Sequence, residues 1–225
     1  MKTSWKPLFW GGAAVLIAAA VLAVFLSLRG NGKSALGEEL FRQVFEANKS
    51  TDPARYLGDE SYGLISATPA QRQALEETYT GVLDALFPAD SWMREQKLEI
   101  LERKKSQTED DSLRSLDLVC LDWKVDSLEL NGDTAEMVIS YICAEKIIIK
   151  SEQQYQAMFP LTAETDRATL RRIGDQWIIE DLKMENYQLG AEDEASKRSF
   201  ASFEEAYAYS MEKTPQNTVL QLEEN

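Results

Sequence analysis

The sequence predicts an α+β domain, with helices packed on one face of an antiparallel sheet, behind an N-terminal transmembrane helix. Three observations support this prediction. Residues 8–28 carry no charge. Apolar residues then recur at helical spacing from Leu36, whereas apolar and polar residues alternate from Leu116 onward. Helices followed by a run of strands are typical of α+β domains.

Residues 8–28 have the length of a membrane-spanning helix. At about 1.5 Å per residue they reach roughly 31 Å, about one hydrocarbon thickness. The alternative is a cleaved signal peptide, but its apolar part is shorter and ends in a small-x-small site, which Lys33-Ser34-Ala35 matches poorly. We therefore predict an uncleaved single-pass anchor in the cell membrane, with a cytoplasmic head (1–7), the transmembrane helix (8–28) and a linker (29–35).

The charge distribution indicates which side of the membrane the domain occupies and which partners it lacks. Lys2, Lys6 and the amino terminus flank one end of residues 8–28, and Arg29 and Lys33 flank the other. This small excess, together with the short head and the long C-terminal domain, favours a cytoplasmic N-terminus, which places the C-terminal domain outside. Four of the 24 basic residues precede Ser34 and all 38 acidic residues follow it, so the remaining 20 against 38 leave a net charge of −18. This charge excludes nucleic acid as a partner and disfavours adhesion to anionic lipid.

The residue types that are missing exclude several kinds of chemistry. The chain contains no histidine and two cysteines. Ser-His-Asp and Cys-His nucleophile systems, imidazole zinc sites and a closed cysteine zinc site are therefore excluded. No phosphate-binding glycine-rich motif and no nucleophile elbow occurs. We expect no metal, no cofactor and no catalytic residues.

The first half of the domain contains two clear helices and one ambiguous segment. The first helix has an apolar stripe from Leu36 and ends at Thr51-Asp52-Pro53. The second begins at the capping box Thr68-x-x-Gln71, with Pro69 at the first helical position, and ends at Phe87-Pro88. Residues 91–105 fit a helix or a strand, and residues 104–112 are predicted to be a solvated loop.

The second half is predicted to be a meander of strands. Trp123 and Val125 belong to an alternating strand, and Asn131-Gly132 indicates a type I′ hairpin turn into the next. A third strand from about Leu161 to Ile173 turns at Gly174-Asp175 into the strand of Trp177. A helix near 194–213 and a polar tail complete the chain.

Three stretches in this order resemble the NTF2-like (cystatin-like α+β) superfamily, above all its membrane-anchored bacterial branch. They are FRQVFEANKSTDPARYL (41–57), LELNGDTAEMVISY (128–141) and LRRIGDQWIIEDL (170–182). The resemblance implies a domain over 36–184, with a strongly bent sheet around the helices and a conical cavity between them. Residues 185–225 would then be an added C-terminal helix and polar tail.

The implied cavity supplies the candidate site residues, whose inward direction comes from the resemblance. Enzymes of the superfamily are of the isomerase and dehydratase type and place Asp, Tyr or His in the cone. The resemblance therefore makes Tyr79, Tyr141 and Asp166 candidates for such a role. Trp177 is expected in the core, against Phe41, Phe45 or Tyr79. The candidate cavity-lining residues are Tyr79, Trp123, Tyr141 and Trp177.

Three functions are compatible with such a domain. The first is a non-catalytic interaction domain of the cell envelope, whose partner is another membrane or envelope protein. The second is a module that binds a small ligand in the cavity, and the third is an isomerase or dehydratase. We predict the first, because an anchor restricts the search for a partner to two dimensions and gives no benefit to cavity chemistry. An open apolar cavity would favour a ligand, and a carboxylate in a desolvated pocket would favour an enzyme.

Cys120 and Cys143 are candidates for one disulfide. If Asn131-Gly132 is a two-residue turn, Leu130 pairs with Asp133. An unbroken continuation of this register places the two cysteines directly opposite each other, near bonding range. However, the apolar positions change parity near Asp126-Ser127, which indicates a β-bulge. A shift of one residue would put the cysteines on opposite faces and leave two thiols. The sequence leaves both outcomes open.

Overall fold

A computed structural model of the chain describes residues 34–56, 68–106, 113–192, 197–217 and 219–222. The helical elements within these ranges are α1 (Ala35–Lys49), a 3₁₀ turn (Pro53–Tyr56), α2 (Pro69–Leu86), α3 (Trp92–Ser106) and α4 (Phe203–Glu212). The strands are β1 (Leu113–Asn131), β2 (Thr134–Lys150), β3 (Tyr155–Met158), β4 (Pro160–Ile173), β5 (Gln176–Glu192) and β6 (Arg198–Phe200).

The described helices do not include a membrane span. None of them is long and apolar enough to cross a bilayer. The predicted cytoplasmic head (1–7), the predicted transmembrane helix (8–28) and residues 29–33 of the linker lie outside the described ranges.

The predicted α+β class is confirmed by one antiparallel sheet and the helices around it. The order of the strands is β5–β4–β2–β3–β6, and β1 pairs with β2 off this path. β2 is the central strand, because β4 pairs with its first part and β3 with its last four residues. A long β1–β2 hairpin and a long β4–β5 hairpin therefore lie side by side.

The helices lie on both faces of the sheet, so the expectation that they pack on one face is wrong. Odd-numbered residues of β2 from Ala135 to Cys143 join the buried core that α1, α2 and α3 also enter. Ile148 packs with Phe203 and Ala206 of α4 in a second cluster. Because side chains alternate across a strand, α4 covers the opposite face.

The helix starts follow local sequence signals. Ser34 caps α1 by accepting a hydrogen bond from the backbone of Gly37, and Thr68 and Gln71 form the predicted capping box of α2. The ambiguous segment 91–105 is helical from Trp92, as α3. This helix continues to Ser106, so the loop predicted over 104–112 is wrong for its first three residues, and residues 107–112 lie outside the described ranges. The buried face of α3 contains Met93 and Leu101.

The register of the β1–β2 hairpin differs from the prediction. Asn131 pairs with Thr134, so the turn is Gly132-Asp133, and Gly132 alone has positive φ there, at 62°. Positive φ at the first turn position alone is typical of a type II′ turn, which favours glycine there, whereas the predicted type I′ turn needs positive φ at both positions. The predicted bulge near Asp126 is confirmed, because the register shifts between Val125 and Ser127.

The C-terminal part is less helical than predicted. β5 continues to Glu192, past the domain boundary expected at Met184. Phe200, expected on the last helix, pairs with Tyr155 in the sheet, and α4 begins only at Phe203. The prediction of a helix near 194–213 is therefore wrong for Arg198–Phe200, because pairing with β3 outweighs the apolar spacing that suggested a helix, and residues 194–196 lie outside the described ranges.

Candidate functional site

Four polar residues meet under α1 and form what we call the interior acidic cluster: Asn48, Tyr141, Glu164 and Asp166. Asn48 lies in the last turn of α1, Tyr141 on β2, and the two carboxylates two residues apart on β4. The register brings them together, because Tyr141 pairs with Glu164 and Ile139 with Asp166. Side chains two apart on a strand share a face, so both carboxylates point toward α1.

Hydrogen bonds join the members of this cluster to one another. The Tyr141 hydroxyl lies 2.6 Å from Oε2 of Glu164 and 2.9 Å from Oδ2 of Asp166, and it accepts a bond of 2.7 Å from Nδ2 of Asn48. Nδ2 of Asn48 also donates to Oδ2 of Asp166 at 2.5 Å. The structure therefore brings together Tyr141 and Asp166, two residues that the sequence proposed for the cavity.

The carboxyl group of Asp166 is an unusual acid. Its side chain is 1% exposed, and Oδ1 has no hydrogen-bond partner among the described residues. Burial raises its pKa to about 6, and the nearby Glu164 carboxylate acts in the same direction, whereas the bonds from Tyr141 and Asn48 oppose the rise. Burial and both carboxylates raise the pKa of Tyr141 far above its usual range, so its hydroxyl stays protonated.

Aromatic side chains cover the cluster. The Phe41 ring stacks on Trp123 with centroids 4.4 Å apart and planes at 3°. Phe41 and Phe45 also form edge contacts with the Tyr141 ring, with centroids 6.0 and 5.8 Å from its centroid. Trp123, a candidate cavity-lining residue, is therefore packed against α1, where the resemblance implied a cavity.

Tyr79, a further candidate, lies away from the cluster and stabilises the end of α1. Its hydroxyl donates to the carbonyl of Ser50 at 2.6 Å. Lys97 donates to the carbonyl of Ala47 at 2.8 Å, and Arg55 donates to that of Lys49 at 3.0 Å. These are carbonyls that a helix end leaves without intrahelical partners, so this second polar group has a structural role.

Lys97 is the most perturbed cation of this second group. Its side chain is buried, and burial, together with the nearby Arg55 guanidinium, lowers its pKa to about 8. Its ammonium also lies over the Phe87 ring, 5.7 Å from the centroid. A cation favours the C-terminal end of a helix dipole, which offsets part of the cost of burial.

The two cysteines lie directly opposite each other, as the unbroken register predicted, but by a different route. Asn131 pairs with Thr134, so the register at the turn differs by two residues from the one predicted. Two β-bulges, one between Ser127 and Val125 and one between Asp122 and Cys120, restore the pairing Cys120↔Cys143. Both side chains are thiols in the structure. Sγ of Cys143 lies 2.9 Å from Oγ1 of Thr162, and burial raises the pKa of its thiol to about 12.

Trp177 is buried, with 6% of its surface exposed, as predicted for a core residue. It belongs to the same hydrophobic core as Phe41 and Tyr79, at the end where α1 begins. There it forms part of an open groove of about 340 Å³ at the turn end of the sheet. The groove is lined by Leu36, Glu39, Leu130, Gly132, Arg172, Asp175 and Trp177.

The sequence analysis missed Asn48 and Glu164. Asn48 continues the stripe of Phe41 and Phe45 at helical spacing, so a polar residue on the buried face was visible. Glu164 lies two residues before Asp166 on the same strand and shares its face. No group of three or more acidic or cysteine side chains suited to a metal ion occurs in the described part of the chain.

Comparison with known proteins identifies no family. No family model and no curated protein matches the chain. Among solved structures, the intermembrane space region of the chloroplast protein ARC6 aligns at 14% identity over 64% of this chain and 94% of that one, with a TM-score of 0.38. A likeness at this level does not assign a function.

Proposed function

We propose that this chain is a membrane-anchored, extracytoplasmic interaction domain of the cell envelope with an NTF2-like fold, and that its partner is another membrane or envelope protein. The uncharged residues 8–28 would be the anchor, and the acidic remainder the domain outside the cytoplasm. The three stretches that resemble the superfamily fall on α1 with the 3₁₀ turn, on the β1–β2 hairpin and on the β4–β5 hairpin.

The observation that supports this proposal is that the polar and aromatic side chains of the interior bond to and pack against one another. Tyr141 and Asn48 use their polar atoms within the interior acidic cluster. Phe41 stacks on Trp123 and contacts the Tyr141 ring. A catalytic or ligand-binding cone needs polar groups directed into open space, whereas a structural interior needs them bonded, since burial of an unpaired polar group is costly.

A second candidate function, proton transfer, is favoured by one specific observation. Oδ1 of Asp166 is buried without a partner among the described residues. The pKa of this carboxyl group is about 6, and a general base works best when its pKa lies near the pH at which the enzyme operates. The protonated hydroxyl oxygen of Tyr141 lies 2.9 Å from Oδ2 of the same carboxyl group. An isomerase or dehydratase would use this pair.

Cross-linking in native membranes separates these functions. The experiment compares the full chain with Tyr141→Phe, which removes only the buried hydroxyl, and with a chain that lacks residues 1–33. We expect the full chain and Tyr141→Phe to cross-link to the same envelope protein, and removal of residues 1–33 to abolish the product. If Tyr141→Phe folded normally and kept its neighbours but failed to rescue cells that lack the gene, proton transfer in the interior would replace the proposal.

A further inference from the structure

Two exposed apolar side chains lie at the turn end of the sheet. Leu130, at the end of β1, is 44% exposed, and Ile173, at the end of β4, is 53% exposed. The two turns are adjacent, because Thr134 pairs with Arg171 and the backbone N–H of Arg172 donates to the carbonyl of Asp133 at 2.7 Å. Leu130 and Ile173 therefore belong to one end of the domain. They project from opposite faces of the sheet there, because Leu130 shares the face of Leu170 through Ala135, and Ile173 is three residues further along β4.

The groove beside Trp177 extends this apolar end. Leu130 lines it together with Leu36, which is half-buried in the first turn of α1. The charged side chains at its edge are of both signs, Glu39 and Asp175 against Arg172. We call Leu130, Ile173 and this groove the tip surface. Its mixed charge and its apolar side chains suit a neutral, amphipathic partner better than a charged one.

The path of the chain decides what lies next to the tip surface. α1 starts at Ala35 beside the groove, and only residues 29–33 and the cap Ser34 separate it from the uncharged run 8–28. Five extended residues reach at most about 18 Å. A bilayer that holds residues 8–28 is consequently within reach of the tip surface.

We propose that the tip surface rests on the lipid–water interface of the bilayer, with Leu130 and Ile173 in contact with lipid. This inference rests on the anchor in the proposed function. Once the chain is tethered, weak apolar contacts suffice, because the effective concentration of lipid at the surface is high. The net charge of −18 in the domain opposes attraction to anionic lipid, so zwitterionic phosphatidylcholine is the appropriate surface.

Site-specific photo-cross-linking tests this orientation in the full chain, reconstituted in phosphatidylcholine vesicles. The variants Leu130→p-benzoylphenylalanine and Ile173→p-benzoylphenylalanine place the probe on the tip surface. Leu113→p-benzoylphenylalanine is the matched control, because Leu113 is 49% exposed at the opposite end of the same strand. Measured along the paired strand β2, from Ala135 to Ile149, this end is 14 residues away, roughly 46 Å at about 3.3 Å per residue. Intact-mass analysis distinguishes lipid adducts from protein adducts.

We expect lipid adducts at positions 130 and 173, several-fold above those at 113. A chain that floats with the vesicles but gives equal lipid labelling at all three positions, or none, overturns the inference and leaves the anchor intact. Dimeric adducts at 130 and 173 overturn it in favour of a second copy of this chain. A chain that does not float with the vesicles overturns both the inference and the anchor on which it rests.

Discussion

Replacement of Asp166 by asparagine keeps the shape of the side chain and removes its titration. The variant therefore isolates the free energy of ionising a carboxyl group beneath α1. Asp166 is 1% exposed, and its pKa is raised from 3.8 to about 6, chiefly by burial. Since one pKa unit corresponds to about 1.4 kcal/mol, ionised Asp166 lowers the free energy of unfolding at neutral pH by roughly 3 kcal/mol.

The sign of the pH dependence follows from the direction of this shift. A folded-state pKa above the unfolded value means that the folded protein binds more protons between the two values. The contribution of Asp166 to stability is therefore greatest below its unfolded pKa near 4, and it is lost as pH rises through about 6. Asparagine does not titrate, so the variant gains stability relative to the unchanged protein over this window.

The assay is denaturation of the full chain by urea in an uncharged detergent. We expect the difference in unfolding free energy between Asp166→Asn and the unchanged protein to rise by about 2 kcal/mol in favour of the variant between about pH 4.5 and about pH 7.5. The pH dependence is the informative quantity, because the asparagine amide at the position of Oδ1 adds a cost that is independent of pH. Asp175→Asn, at a fully exposed position, controls for the loss of one charge.

Two results would refute this reasoning. A difference that stays constant within about 0.5 kcal/mol would show that Asp166 is solvated in the folded protein. A difference that falls with rising pH would show that the bonds from Asn48 and Tyr141 stabilise the carboxylate by more than burial destabilises it.

Two further predictions concern the groove and the cysteines. Trp177→Ala should lower the unfolding free energy by about 3 kcal/mol, because it truncates a buried aromatic residue. In the same denaturation assay Trp92→Ala, at a side chain 58% exposed, should cost less than about 0.5 kcal/mol, and an equal loss for both would contradict the core position. The denatured, unreduced chain should contain two reactive thiols, because the raised pKa of Cys143 leaves little of the thiolate that disulfide exchange requires. A thiol titration that finds none would show a Cys120–Cys143 bridge.

Local signals were sufficient where the chain itself contains the partner. The capping box of α2 joins Thr68 to Gln71 within one turn of helix, and the Gly174-Asp175 turn lies between two paired strands. The segment 91–105 was ambiguous because Lys97 lies on its buried face between Met93 and Leu101, which blurs the apolar spacing.

Long-range pairing explains what the sequence did not predict. Phe200 extends the sheet only because β3 offers an edge that lies more than forty residues earlier in the chain. The cysteines face each other only because the shift at the turn and the two bulges compensate. In the interior acidic cluster, the resemblance proposed Tyr141 and Asp166, but the register of β2 against β4 brings them together. The position of Asn48 over them depends on how α1 crosses the sheet.

The central claim, an anchored domain outside the cytoplasm, is tested most directly by protease accessibility. The full chain is produced in a bacterial cell, and carbonate-washed membranes and intact spheroplasts are prepared. The account predicts that the chain remains in the washed membranes and that added protease digests the domain in intact spheroplasts. Recovery of the chain in the soluble fraction, or protection of the domain until the membrane is opened with detergent, would contradict it.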